Sequence, residues 1–300
     1  MTTILYGRPP LVFDPPEGAT QTSPLIPGSA ALEDLAPGSV EAAVVYAPAG
    51  VLERRYALAL ALRALRPRGR LDVMAPKDRG GSRLKKELES FGLEVAESAK
   101  AHHRRCMAVR PEALDAAVQA AVETGAPRRI EALDAWSQPG VFAWDRVDPG
   151  SALLAAHLPP LKGRGADLGC GWGALARMVL SSPAVTTLRL IDIDRRALSA
   201  AARNIEDARA GFEWADARTL AGAGDLDFVV TNPPFHDGGT EDRRLGQGFI
   251  QTAAAMLRKG GVLWLVANRH LPYEAELNAA FKRVRVVADA PGYKLFEAVR

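Results

Sequence analysis

The sequence predicts an α/β protein of two Rossmann-like domains, each a mostly parallel sheet covered by helices. Three observations point there. The chain has 300 residues, two domains at roughly 150 residues each. Short β-branched runs alternate with segments of helical period, the pattern that places parallel strands beneath helices on both faces. The second half also echoes the first: residues 61–76 resemble 253–268 at an offset of 192, 44–49 resemble 229–234 at 185, and the run ending at Arg110 resembles the run ending at Arg300 at 190. Tyr-Ala-Pro in the first copy stands where the second has Asn-Pro-Pro.

Taken in order, the first forty residues are rich in proline and glycine and give no regular reading, so the fold of residues 1–38 stays open. Residues 40–48 read as a strand ended by Pro48, 52–65 as a helix stopped by Pro-Arg-Gly, and 70–76 as a second strand. Residues 82–92 form a charged amphipathic helix ended by Gly92, 93–110 a closing pair of strands, and 111–124 a helical connector. A turn at 125–127 puts the domain boundary between residues 125 and 126, giving domains 1–125 and 126–300. After Pro139 the second series is clearer. Residues 164–182 read as strand, glycine loop and helix, 185–194 as a strand, 195–208 as a helix and 211–217 as a short strand. A strand at 226–235 ends in two prolines, a helix at 248–261 stops at glycines, and 262–268, 273–283 and 284–300 read as strand, helix and terminal hairpin.

Hydrophobic residues make up 48% and charged residues 24%, which excludes disorder, collagen and coiled coil for the whole chain. No run of about 18 uncharged apolar residues is present, so no transmembrane helix is expected. The first residues lack a basic stretch followed by an apolar core, so no signal peptide is read. Two cysteines, Cys106 and Cys170, cannot build a disulfide framework; a reducing cytoplasm is the expected location. The net charge is only +3, but Arg63 to Arg110 holds 13 Lys/Arg against 6 Asp/Glu. That local excess of +7 fits either a solvated surface or a nucleic-acid footprint.

Asp167-Leu-Gly169-Cys-Gly171-Trp-Gly173 follows a strand and opens a helix. Glycines there let the backbone turn sharply and lie against a ligand at the carboxyl end of the sheet, where open α/β sheets bind. The spacing is GxGxG, not the GxGxxG of dinucleotide folds. Asp192, 19 residues beyond Gly173, ends the next strand, where a carboxylate can accept from both hydroxyls of a ribose. Asp194 reads as a helix N-cap. Asp216, in the loop after the third strand, is placed either to accept from an adenine amine or as a surface loop residue. Asn232-Pro233-Pro234-Phe235 is the most specific signal. An amine on a flat ring is a poor nucleophile, and two acceptors, the Asn232 side-chain oxygen and the Pro233 carbonyl, can hold its N–H bonds and aim its lone pair. Phe235 offers a face on which a base can stack. His236 fits a pocket-lining or a structural role, Lys294 an RNA contact or a surface lysine. His102 and His103 lack the spacing of a metal site, and no metal is expected.

Residues from about 139 to 300 resemble class I S-adenosylmethionine-dependent methyltransferases. The segments PGVFAWDRVDPGSALL, DLGCGWG, NPPFHDG, VANRHLPY and YKLFEAVR look like the ribosomal RNA guanine-N2 methyltransferases. VVYAPAG, APKDRGGSRLKKELESFG and HHRRCMAVR extend the likeness to the degenerate N-terminal domain of the small-subunit type. The resemblance implies two Rossmann-like methyltransferase-type domains, the N-terminal one degenerate and RNA-binding. It also implies that Gly169, Gly171 and Gly173 pass under the methionine moiety of S-adenosylmethionine and that Asp167 helps bind its amino group. Asp192 would then hold the ribose, Asp216 the adenine, and Asn232, Pro233 and Phe235 a flipped guanine, with Asn232 also counted among the cofactor-binding residues and His236 and Lys294 beside the RNA. The Trp172 ring, bulkier than the usual residue there, must point away from the cofactor. The expected reaction is N2 methylation of a guanine in ribosomal RNA by a monomer, with the small subunit or its RNA as partner. Large-subunit guanine-N2, adenine-N6 or glutamine-amide methylation, and a non-enzymatic assembly factor, remain alternatives.

Overall fold

The computed structural model describes residues 2–234 and 244–300 in full, and residues 236–237, 240–241 and 243 by their backbone alone. The chain divides into two units, Met1–Pro127 and Arg128–Arg300.

In the first unit, β1 (Thr3–Tyr6), β2 (Thr20–Gln21), β3 (Val40–Tyr46), β4 (Leu65–Pro76), β5 (Ala96–Lys100) and β6 (His103–Val109) form one sheet of order β2-β1-β3-β4-β6-β5. The pairs β1–β2, β1–β3 and β3–β4 are parallel, while β6 is antiparallel to both β4 and β5. Helices α1 (Val51–Ala64), α2 (Leu84–Glu89) and α3 (Ala116–Gly125) cover it. Every residue from Tyr56 to Leu62 is buried, because α1 lies between the sheet and α3 and needs an apolar surface all round. The open question at residues 1–38 is resolved here: they supply a central strand, β1, and an edge strand, β2.

The second unit opens with the ribbon β7 (Arg128–Ile130) and β8 (Ala135–Ser137) and the helix α4 (Pro149–His157). Its main sheet contains β9 (Gly163–Leu168), β10 (Val185–Asp192), β11 (Ala210–Trp214) and β12 (Leu226–Thr231). After the short ribbon β13 (His236–Asp237) and β14 (Thr240–Glu241), it is completed by β15 (Leu257–Asn268), β16 (Arg283–Ala290) and β17 (Tyr293–Val299) in the order β11-β10-β9-β12-β15-β17-β16. The first five are parallel; β17 runs antiparallel to both its neighbours. The period-2 alternation sends Ala166, Leu168, Val229, Leu263 and Leu265 to one face, with α7 (Arg243–Met256) and α8 (Glu274–Ala280). Leu188, Leu190, Phe228, Val230 and Trp264 go to the other, with α4, α5 (Ala174–Val179) and α6 (Arg195–Asn204). Among the described residues, no helix is long and apolar enough to cross a membrane.

The two sheets carry the same register irregularity. Val40 pairs with Leu65 and Ala42 with Arg70; Leu226 pairs with Leu257 and Phe228 with Val262. A Cβ on Gly69 would strike Arg66 O at 2.8 Å and Leu65 Cδ2 at 3.0 Å; on Gly261 it would strike Arg258 O and Leu257 Cδ2, both at 3.0 Å. These ladders support duplication and correct one of its offsets. Ala42 and Phe228 hold the same place, an offset of 186 (228 − 42) rather than 185. A match of two valines cannot fix a strand's register, whereas pairing on both sides does. Tyr46 therefore occupies the position of Asn232, as the Tyr-Ala-Pro alignment requires, and Gly7 (φ 82°) that of Gly169 (φ 74°).

Candidate active site

The site is built at the carboxyl ends of β9, β10 and β12, which are adjacent and parallel. After Leu168 the chain turns through Gly169, Gly171 and Gly173, with φ of 74°, 55° and 91°. Side-chain-bearing residues rarely tolerate that left-handed region. Packing is also close at Gly173, where a Cβ would lie 2.9 Å from Ile205 Cδ1. At Gly171 a Cβ would meet nothing within 4 Å, so the backbone there is open to a ligand. The Trp172 ring is drawn into the protein. It is buried with Leu133, Ala135, Val141, Ala197 and Ala200, and its Nε1 donates to Ala143 O at 3.3 Å.

Two acidic side chains sit near the carboxyl ends of the adjacent strands β10 and β9, Asp192 and Asp167. Asp192 Oδ2 accepts from Gly171 N and Oδ1 from Asp194 N, each at 2.8 Å, so the end of β10 holds the glycine turn in place. Burial raises its pKa to about 6 against the pull of those N–H donors. Asp194 caps α6 through Arg196 N, as the sequence indicates. Asp167 is fully buried on β9, and neither of its oxygens has a hydrogen-bond partner among the described residues. Burial, reinforced by the nearby Asp192 charge, pushes its pKa to about 8. A buried carboxyl without a partner is costly and suits a cation that arrives with a ligand.

Asn232 follows β12, whose last residue, Thr231, donates from Oγ1 to Leu168 O at 2.7 Å and ties the two strand ends together. The Asn232 Nδ2 group donates to Asp148 Oδ2 at 2.7 Å and to Ser151 Oγ at 2.9 Å, both in the first turn of α4. Its Oδ1 is left as an acceptor. Pro233 is buried, which holds the backbone behind it. An open glycine turn, a strand-end carboxylate, a buried carboxyl unpaired among the described residues and an outward amide oxygen together suit a nucleoside cofactor that carries positive charge. Among the described residues, no three His, Cys, Asp or Glu side chains gather as a metal site.

The methyltransferase small domain family matches residues 132–297, more than half of the chain. The chain belongs to that family. The ribosomal RNA small subunit methyltransferase C of Shewanella halifaxensis is 31% identical to it over 271 residues, covering 87% of this chain and 78% of its own. That of Shewanella loihica is 31% identical over 266 residues, covering 85% and 76%. Among solved structures, the T. Thermophilus 16S rRNA N2 G1207 methyltransferase in complex with AdoMet and guanosine matches with a TM-score of 0.81 at 26% identity, over 100% of this chain and 88% of that one.

Other candidate residues of this family member lie in different settings. Asp216 follows β11, its carboxylate gripped by the Arg218 guanidinium (2.6 Å to Nη2), so an adenine amine would share it with that cation. Lys294 on β17 donates to Glu274 Oε1 at 2.6 Å and is committed to an ion pair. Phe235 and the His236 side chain lie outside the described residues. Asp148 and Ser151 were not singled out from the sequence as site residues. Their signal is an N-cap aspartate followed by proline at the first helical position, which reads as a helix start and says nothing of a partner 84 residues away.

Proposed function

We propose that this chain transfers a methyl group from S-adenosylmethionine to the exocyclic N2 amine of a guanine in small-subunit ribosomal RNA. The observation that carries this reading is Asn232, whose amide hydrogens are both taken by α4 while its oxygen faces outward beside the glycine turn. A guanine N2 carries two N–H bonds and needs acceptors of this kind to align its lone pair. S-adenosylmethionine, when bound, supplies an electrophilic methyl on a sulfonium. Asp167 offers its amino group a counter-charge, Asp192 receives the ribose hydroxyls, and the backbone at Gly171 lies open beneath the methionine moiety. Asp216 would receive the adenine amine in competition with Arg218, Pro233 would add the second acceptor for the guanine, and Phe235 would stack on it. Alignment lowers the barrier, so no strong base is required before attack: the amine, held by its acceptors, would release its proton to solvent as it takes the methyl. The test is tritiated methyl transfer to small subunits or their RNA from a strain lacking the enzyme, followed by nucleoside analysis. Label in N2-methylguanosine supports the reading; label on adenine or on a protein glutamine rejects the substrate.

Asp192→Ala should weaken cofactor binding by about 1.5–3 kcal/mol, the scale of hydrogen bonds to a charged group. Calorimetry reporting unchanged affinity would remove Asp192 from the site.

The first unit, in this reading, is an inactive copy that grips RNA in the cytoplasm as part of a monomeric enzyme. Different residues stand at the positions that correspond to the active site. Tyr46 stands in place of Asn232, its hydroxyl 3.2 Å from His103 Nε2, and the buried Phe13 packs edge-on against His103 at 5.3 Å between ring centroids. Much of its basic segment is also internally spent, as in Arg105 with Asp72, Arg68 with Glu112 and Arg66 with Glu41. The side chains of Lys77, Arg83 and Lys86, all exposed residues, are without a partner among the described residues, which suits phosphates. Replacing all three with alanine should weaken RNA binding and lower the slope of log K against log salt by about 2–3, at roughly 0.7–0.9 per lost phosphate contact. An unchanged salt slope would exclude this patch.

A further inference from the structure

The two ends of the Asn232 amide are chemically opposite, yet nearly the same shape. Turned by 180°, the group would fit as well but show N–H bonds where it now shows an oxygen. What decides between the two orientations is the start of α4. A neutral amide has two N–H donors, and both are used there, on Asp148 Oδ2 at 2.7 Å and Ser151 Oγ at 2.9 Å. Asp148 Oδ2 is itself pinned, because it accepts from Ser151 N at 2.8 Å as the N-cap of α4. An ionised carboxylate can only accept. Reversal would set the amide oxygen against that carboxylate, two acceptors with no proton between them.

We infer that Asp148 and Ser151 are positioning residues that lock the Asn232 amide with its oxygen outward, and so make the site demand a substrate that donates hydrogen, an amine rather than a ring carbonyl. This rests on the reading of Asn232 given above. One helix cap thereby sets both the start of α4 and the polarity of the site.

The experiment compares four full-length proteins: wild type, Asp148→Ser, Asn232→Asp, and the double variant. Serine keeps the helix cap, since it ranks with aspartate there. Its hydroxyl, however, donates as readily as it accepts, so it tolerates either orientation of Asn232. Asp148→Ser should lower kcat for methyl transfer about tenfold or more, with KM for RNA and cofactor affinity changed less than about twofold. Asn232→Asp should fall further, because two carboxylates then face each other. A carboxylate presents an acceptor whichever way it turns, and the serine hydroxyl can donate to it. The double variant should therefore exceed the product of the two single effects by about tenfold. In NMR spectra of the wild type, the Asn232 side-chain amide protons, assigned by their loss in Asn232→Asp, should be protected from exchange, and Asp148→Ser should release them. Wild-type kcat in Asp148→Ser, purely multiplicative losses in the double variant, or unprotected amide protons in the wild type would each overturn the proposal. The nucleoside methylated by the wild type tests the guanine reading separately: label on another amine would displace guanine while the ratios between variants still decide the positioning role.

Discussion

Asn232→Ala should lose methyl transfer by about 100-fold or more while keeping most of its affinity for S-adenosylmethionine. In the structure Asn232 touches the first turn of α4 and presents its oxygen outward, and the side chain that holds the glycine turn is Asp192 instead. The loss therefore falls on alignment of the nucleophile, not on cofactor binding. Removing one preorganised hydrogen-bonding group from a reacting centre costs on the order of 100–1,000-fold. Alanine also leaves Asp148 Oδ2 with its bond from Ser151 N, so α4 keeps its cap and the variant should fold. The measurement is single-turnover methyl transfer to small-subunit RNA alongside calorimetric cofactor binding. Full activity would reject the mechanism; a parallel loss of cofactor affinity would move Asn232 into the cofactor's binding surface.

The second large effect concerns pH. The Asp167 carboxyl, held near a pKa of about 8 by burial and then by Asp192, keeps its proton in the folded protein to a pH far above the value of about 3.9 expected in an unfolded chain. Between about pH 4 and 8 the unfolded state thus binds fewer protons than the folded one, and stability falls as pH rises through that window. Asp192, raised to about 6, adds the same sign over the lower part of it. The melting temperature of the cofactor-free protein should fall from pH 5 to pH 8, and Asp167→Asn should flatten that slope and melt higher than wild type at pH 8. Binding a cofactor that carries an ammonium favours the charged carboxylate. Near pH 7 the wild type should therefore release up to about one proton per cofactor bound, read from calorimetry in buffers of different ionisation enthalpy. Asp167→Asn should release none and bind more weakly. A pH-independent melting temperature, or equal proton release by both proteins, would show that Asp167 is not the buried acid.

The parts of this site that were legible in the sequence are local. Glycines at 169, 171 and 173 announce a left-handed turn because hard-sphere sterics bar other residues, and the backbone adopts it at all three. Asp194 announces a cap for an equally local reason, a side chain two residues from the N–H it satisfies. Residues 1–38 were illegible because β1 has four residues and β2 two, too short to show a period; they are strands only by virtue of pairing with each other and with β3. The sequence left Lys294 between an RNA contact and a surface lysine, and Asp216 between an adenine acceptor and a loop residue; in the fold Lys294 is paired with Glu274, 20 residues away, and Asp216 with the neighbouring Arg218.

Sequence alone determined the two-unit α/β plan, the glycine turn, Asp192 at the end of its strand and the Asn-Pro-Pro motif, since each depends on hydrophobic period or on steric rules acting within a few residues. Tertiary structure alone decided which way the Asn232 amide faces, that Asp167 lies buried without a partner among the described residues, and that Tyr46, already aligned with Asn232 by sequence, meets His103. Those properties depend on what surrounds a polar group once water is excluded, and the surroundings come from residues tens of positions away: Asp148 for Asn232, Asp192 for Asp167, His103 for Tyr46. A pattern with a period of two or 3.6 carries no record of such encounters.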